Sequence, residues 1–251
     1  MSEKNQITFY QNGSIEIVDG KGKVSFPYHT HNCFMLGIIT SGQMDMTIMN
    51  ITYRMQPGTI YIIPSNIGMS MQYVTEFSYT SICLKNEIAD YMNTFMINTY
   101  VVSSLGPCLS FLCHKYKKEQ NDAHFVRSIV ALLQLKERKG ANTENPLILN
   151  AISYIAAHAE ERCSVEEVAE KMFISKFHFC RIFKKEMGIT PKQYILQAKL
   201  RVVKEKIWEP DTETRIAEDM AFAAQSHLCS LFKKYMGLSI RDYKQNLTKE
   251  K

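Results

Sequence analysis

Apolar and polar positions change their rhythm once along this 251-residue chain. Between Ile7 and Leu84 the apolar positions come in short β-prone runs: Ile15–Val18, Met35–Thr40, Met44–Met49, Thr59–Ile63 and Ser78–Leu84. Breaks at Asn12-Gly13, Asp19-Gly20, Ser41-Gly42, Pro57-Gly58 and Pro64-Ser65-Asn66 separate them. Many short strands between turn signals predict a small barrel or sandwich. From Asn86 the rhythm is helical. Helices are expected at Asn86–Phe95, at Leu109–Lys118 and at Phe125–Lys139, where Phe125, Ile129, Leu132, Leu133 and Lys136 fall at helical spacing. That stripe reads either as packing on the β-rich part or as a dimer helix. The segment from Lys136 to Pro146 is charged, then polar, then closed by proline, the texture of an interdomain linker.

Beyond Pro146 every segment is helical. Leu147–His158 carries Ile148, Ile152 and Ile155 on one face. Ser164 and Glu167 have the spacing of a capping box opening the short helix Val165–Met172. Ser175 caps a helix running to Met187, which Gly188 can end in the left-handed conformation. Thr190-Pro191 opens a longer helix toward Trp208. A second set follows: Glu213–Met220, a turn, Gln225–Met236 ended by Gly237, and a last helix capped by Ser239 that reaches about Leu247.

The two sets share a signature. Phe183-Lys184-Lys185 and Met187-Gly188 return as Phe232-Lys233-Lys234 and Met236-Gly237, 49 residues later. A repeated helix end of this kind marks a duplicated supersecondary unit. Short helix, turn and second helix is the helix-turn-helix arrangement, whose second helix enters the major groove of DNA. In each second helix the inner stripe (Phe179, Ile182, Phe183; Leu228, Leu231, Phe232) reads as core. Arg181 on the outer face has the fork that grips guanine, Gln225 the amide that suits adenine, and Phe177 a ring to press on a thymine methyl. Lys176, Lys184, Lys185, Lys233 and Lys234 suit phosphates, which position without specifying. The bland reading of the Lys-Lys pairs is a solvated helix end near the C-terminal dipole. The helix between the copies, about 25 Å long, is a spacer able to set two reading helices in successive major grooves about 34 Å apart.

Charge adds modest support. The net charge is +5; residues 147–251 hold 18 Lys/Arg against 14 Asp/Glu, and residues 1–146 hold 12 against 11. The excess therefore sits with the repeat, as a polyanion partner would favour. Seven cysteines form no Cys-x-x-Cys pair. With no secretory signal and no membrane-length apolar run, they read as reduced thiols of a cytoplasmic protein without a membrane partner. His29-Thr30-His31 has the spacing of two metal ligands on one strand face. Asn32–Ile39 adds no carboxylate, so no metal, cofactor or catalytic residue is expected, and the histidines read as packing or effector-touching groups. The Met-rich stretch Met35–Met71 reads as core filling or an apolar pocket.

The segment from Ser175 to Tyr194, followed by Ile216–Phe222, Leu231–Lys234, Gly237 and Tyr243, resembles the AraC/XylS-type transcriptional regulators over residues 147–247. Less sharply, Pro27–His31, Thr40-Ser41-Gly42, Pro57-Gly58 and Ile63-Pro64 resemble that family's cupin-like effector barrel. The resemblance implies a two-domain α+β protein. A cupin-like barrel with flanking helices would occupy 1–138, a linker 139–146, and an all-α domain with two helix-turn-helix units joined by a long helix 147–251. It places base contacts at Phe177, Cys180, Arg181, Gln225, Ser226 and Ser230. His29, His31, Phe34 and Tyr61 are its effector-facing candidates. It implies double-stranded DNA, a small-molecule effector, a second copy through 125–139 and, for an activator, RNA polymerase as partners. The chain departs from the family pattern at Ala221-Phe222, where Gly-Phe is usual, at Ser239-Ile240, where proline is usual, and at Ser230, where arginine is common. Copy one is therefore expected to specify and copy two mainly to anchor. Two alternatives are a cupin-type metal enzyme with a helical appendage, whose ligand set is incomplete, and a regulator controlled by a partner protein without any effector.

Overall fold

The computed structural model of the chain describes residues 6–96, 100–103, 105–137, 145–207 and 213–248. They fall into two compact units, one of Met1–Ser25, His31–Gly140 and Asn246–Lys251, the other of Phe26–Thr30 and Ala141–Gln245.

The first unit is rich in strands. They are β1 (Gln6–Asn12), β2 (Ile15–Gly22), β3 (Phe26–His29), β4 (Phe34–Ser41), β5 (Met44–Ile48), β6 (Ile51–Met55), β7 (Ile60–Ile63), β8 (Met69–Tyr73) and β9 (Phe77–Leu84), with β3 alone counted in the second unit. One sheet runs β7-β4-β9-β2-β1, antiparallel throughout. Val101–Val102 pairs on its β7 edge, and Leu247–Thr248 pairs parallel to its β1 edge. A second sheet places β5 between β8 and β6. These sheets do not close on each other, so the expected barrel is corrected to open sheets. The reason lies in the pairing. The edges of the large sheet are covered by two-residue strands, while β5 spends both its edges on β6 and β8. The turn from β5 to β6 is tight, with Met49 at φ 48° and Asn50 at φ 67°. Two left-handed residues are what a two-residue hairpin of matching twist requires.

Alternation explains β5: Met44, Met46 and Ile48 are buried, and Asp45 and Thr47 are not. Met55 and Met69 are fully buried as well, whereas Met49, in the turn, is exposed. Three helices, α1 (Asn86–Asn93), α2 (Gly106–Glu119) and α3 (Asp122–Leu132), cover the large sheet. Ile17, Phe34, Leu36, Ile62 and Ile82 of the sheet share one core with Met92, Leu109, Tyr116, Phe125 and Ile129 of the helices. Phe125 and Ile129 of the α3 stripe are thus spent inside their own unit, while Leu132 is half-buried. The helix also ends earlier than the stripe suggests. Gln134 sits at φ 50°, its amide donates to Ala131, and the next amide, of Leu135, donates back to Val130. This pair of bonds closes a helix end without glycine, and Lys136–Glu137 is extended. Of the expected linker, residues 139–144 lie outside the described residues.

The second unit is helical: α4 (Pro146–Ala157), α5 (Val165–Lys171), α6 (Lys176–Met187), α7 (Pro191–Lys206), α8 (Glu213–Asp219), α9 (Gln225–Met236) and α10 (Ile240–Asn246). Asn145 caps α4, and Pro146 occupies its first turn. Ile148, Ile155, Val168, Phe179, Phe183, Tyr194 and Ala198 form the core of the first half. In the second half Ile216, Leu228, Phe232, Ile240 and Tyr243 are buried. Helix α7 serves both. It buries Tyr194, Ile195 and Ala198 with the first copy, while Leu200 and Val203 are wholly buried farther along. Lys199 Nζ donates to the carbonyl of Met220 at 3.0 Å, closing the end of α8, and the ammonium of Lys204 lies 5.6 Å from the Tyr243 ring. At about 1.5 Å per residue this 16-residue helix is about 24 Å long.

Candidate nucleic-acid interface

Each copy is built by local signals. Ser164 and Glu167 form the full capping box at the start of α5. Ser175 accepts from the amide of His178 at the start of α6, and Gly188 ends that helix at φ 72°. Thr190 and Gln193 make a second capping box at α7, one that the bare sequence reading did not single out. Copy two is less well furnished. Ala224 stands at the N-cap of α9 with no side chain to cap it, although Gly237 ends the helix at φ 77° as its counterpart does.

The second helices pack by their predicted inner stripes. Phe179, Phe183, Leu228 and Phe232 are fully buried, and Ile182 and Leu231 are half-buried. The outer face of α6 exposes Lys176, Phe177, His178, Arg181, Lys184 and Lys185, and half-buries Cys180. The outer face of α9 exposes Gln225, Ser226, Ser230, Lys233 and Lys234. The candidate base and phosphate residues of each copy therefore share one solvent face.

Their present partners differ. Arg181 Nη2 lies 3.2 Å from His178 Nδ1, one turn back along α6. Lys176 hydrogen-bonds to Glu166 of α5, which draws that carboxyl below its usual range and raises the ammonium. In copy two Gln225 is held at both ends of its amide. Thr214 donates to its oxygen at 3.1 Å, and its nitrogen donates to Glu213 at 3.3 Å. The Cys229 thiol also leans on Glu213 at 3.6 Å, and burial followed by that carboxylate raises it. Glu166 and Glu213 are the residues that sequence reading missed. Each sits on a first helix, and only the folded turn brings it against the head of the second.

The turns themselves hold another surprise. Phe173 (φ 57°) ends α5 and Ala221 (φ 53°) ends α8, both left-handed. In each, that residue's amide and the next one donate back to the helix: Phe173 to Glu170 and Ile174 to Ala169, Ala221 to Glu218 and Phe222 to Ala217. The position favours glycine, so Phe173 and Ala221 occupy it with backbone strain.

His29 is buried in the second unit, its Nδ1 2.6 Å from the Pro27 carbonyl, with burial lowering its basicity. His31 is half-buried in the first unit. Phe34 belongs wholly to the first core. Tyr61 is buried over Gly37, where a Cβ would come within 2.2 Å of its ring, and burial holds its hydroxyl protonated far above the usual range. Among the described residues no group of three or more His, Cys, Asp or Glu is placed to hold a metal ion. No described helix is long and apolar enough to cross a membrane.

Comparison with known proteins matches residues 168–246 to a helix-turn-helix domain and residues 17–149 to an AraC-like ligand binding domain. The chain is 24% identical over 198 residues to the probable transcriptional regulator LumQ of Photobacterium leiognathi, covering 74% of this chain and 77% of that one. It is 23% identical over 198 residues to the lactose operon transcription activator of Staphylococcus xylosus, covering 70% of each. Among solved structures, the unsaturated fatty acid-bound ToxT of Vibrio cholerae shares the fold, with a TM-score of 0.65 at 12% identity over 98% of both chains.

Proposed function

The chain belongs to the AraC family of DNA-binding transcriptional regulators, and on that premise we propose how it reads DNA. Each copy acts as a helix-turn-helix unit, and α6 and α9 enter successive major grooves on one face of the duplex. The observation that carries this reading is the duplicated exposed face, with the same Lys-Lys end on both helices and α7 packed into both halves. Arg181 reads guanine, Phe177 a neighbouring methyl edge, and Lys184, Lys185, Lys233 and Lys234 hold phosphates. Copy two carries Ser230 where copy one has Arg181, and its Gln225 is already engaged by Glu213 and Thr214. Copy one therefore supplies most of the discrimination and copy two mostly anchors.

The β-rich unit, matched to a ligand binding domain, senses a small molecule. The fatty acid held by ToxT makes apolar carboxylic acids the first class to screen by thermal shift. A second copy associates through the open apolar groove between α2 and α3, about 520 Å³ and lined by Phe111, Leu112, Ala131 and Leu132. Sedimentation of wild type against Phe111→Glu tests this, and a dimer unaffected by the substitution sinks it. RNA polymerase is the partner if the chain activates.

The test of the DNA reading is selection of bound duplexes from a randomised pool, followed by titration at rising salt. A sequence-selective complex should persist, with log K falling linearly against log salt by about 0.9 per phosphate contact. Failure to enrich any sequence would overturn it.

A further inference from the structure

Phe173 is the most exposed large apolar residue of the described chain, at 94%, and Phe177 follows at 87%. Four positions apart, they flank the N-cap and first turn of α6, the part of a recognition helix that faces base edges. Phe173 is there at a cost. It occupies the left-handed closing position of α5, with φ 57° and both closing hydrogen bonds made. An L-residue with a Cβ is strained in that conformation, and glycine or asparagine is not. The ring gives no core packing in return. Counted from the first helix, copy two has Ala221 at this position, also left-handed, and its aromatic ring falls one residue later, on Phe222, which is half-buried against His227. A strained aromatic in water at the head of a reading helix implies a ligand that the ring meets.

The surroundings say which ligand. Lys176 lies between the two rings in sequence, and Arg181, Lys184 and Lys185 follow on the exposed face of the same helix. A cationic surface with apolar rings at its leading end fits duplex DNA. The apolar feature that DNA offers in its major groove is the C5 methyl of thymine. We propose that Phe173 is a specificity-determining residue that packs on a thymine methyl group at a base step distinct from the one met by Phe177, so that copy one reads two methyl edges around the guanine gripped by Arg181. This rests on the DNA reading above.

The experiment uses the full chain and a duplex selected by wild type from a randomised pool. Each thymine of that duplex is replaced in turn by deoxyuridine, which removes the methyl and nothing else. Wild type, Phe173→Gly, Phe173→Asn and Phe173→Leu are titrated on every duplex and melted without DNA. The Gly and Asn variants relieve the turn, so they should melt higher by about 2–4 °C, yet bind the selected duplex about fourfold more weakly, the worth of one buried methyl. One deoxyuridine substitution should cost wild type the same factor and cost Phe173→Gly nothing further. Phe173→Leu should retain binding and the methyl preference. The inference is overturned if Phe173→Gly binds every duplex as wild type does, or loses equally on thymine and deoxyuridine at all positions. It is overturned too if the variant binds DNA normally but loses transcription with purified polymerase, which would give the ring to a protein partner. If wild type selects no sequence at all, the DNA reading itself has failed; if it selects one and Phe173 changes nothing, only this inference has.

Discussion

His29 is held in its uncharged form by burial, with its Nδ1 beside the Pro27 carbonyl. Its folded-state pKa lies below the unfolded value near 6.5, so the unfolded chain binds the extra proton. Its contribution is complete above about pH 6.5 and is lost as pH falls toward the folded value, with a slope of at most about 1.4 kcal/mol per pH unit. Melting temperature should therefore drop between pH 7 and pH 5, and drop less in His29→Gln; equal slopes in both proteins would refute the assignment. Gly188 is a second residue whose role is set by its own backbone. It stands at φ 72°, and an added Cβ would lie 2.8 Å from the Tyr28 hydroxyl. Gly188→Ala should cost about 1 kcal/mol or more in denaturant melts, through strain at the end of α6.

Among the elements, α7 carries the most. It opens with a complete capping box and a proline, and it is buried along most of its length. Leu200 is wholly buried on it, so Leu200→Ala should destabilise by about 2–5 kcal/mol. Because α7 packs into both halves, residues 141–245 should still melt in one transition in that variant. Loss of the second copy alone would show the halves to be independent. The elements also show where sequence reading works. Helices with local signals, Ser164 with Glu167, Ser175, Gly188 and Thr190-Pro191, lie within a residue or two of their expected bounds. Helix α3 does not, because its left-handed closing residue is Gln134, which carries no stop signal. Strands β6 and β8 carry little sequence signal, because β6 is mostly exposed and β8 is buried only at Met69 and Met71. Closure of the sheets was beyond local reading altogether. It depends on which distant strands cover each edge, and Leu247–Thr248 reaches β1 from the far end of the chain.

At the scale of the whole molecule, a modest charge excess sits with the duplicated unit and is spread over two separate helices. That division makes a clear statement about affinity against selectivity. On the proposed reading, the lysines at the helix ends act on any duplex, whereas Arg181 acts on one base. The repeat and its two exposed faces were legible in the sequence, since a 49-residue offset needs no structure to see. The strained ring of Phe173, and the engagement of Lys176 by Glu166 and of Gln225 by Glu213, were not. They arise from turns that bring first and second helices together. The measurement that bears most directly on this account is a side-by-side titration of wild type, Arg181→Ala and Lys184→Ala on a selected duplex and on a scrambled one, at several salt concentrations. Arg181→Ala should lose about 1–3 kcal/mol on the selected duplex only and relax the choice at one base pair. Lys184→Ala should weaken both duplexes alike and shorten the salt slope by about one contact. If the two variants weaken both duplexes equally, α6 does not read sequence and the account is wrong.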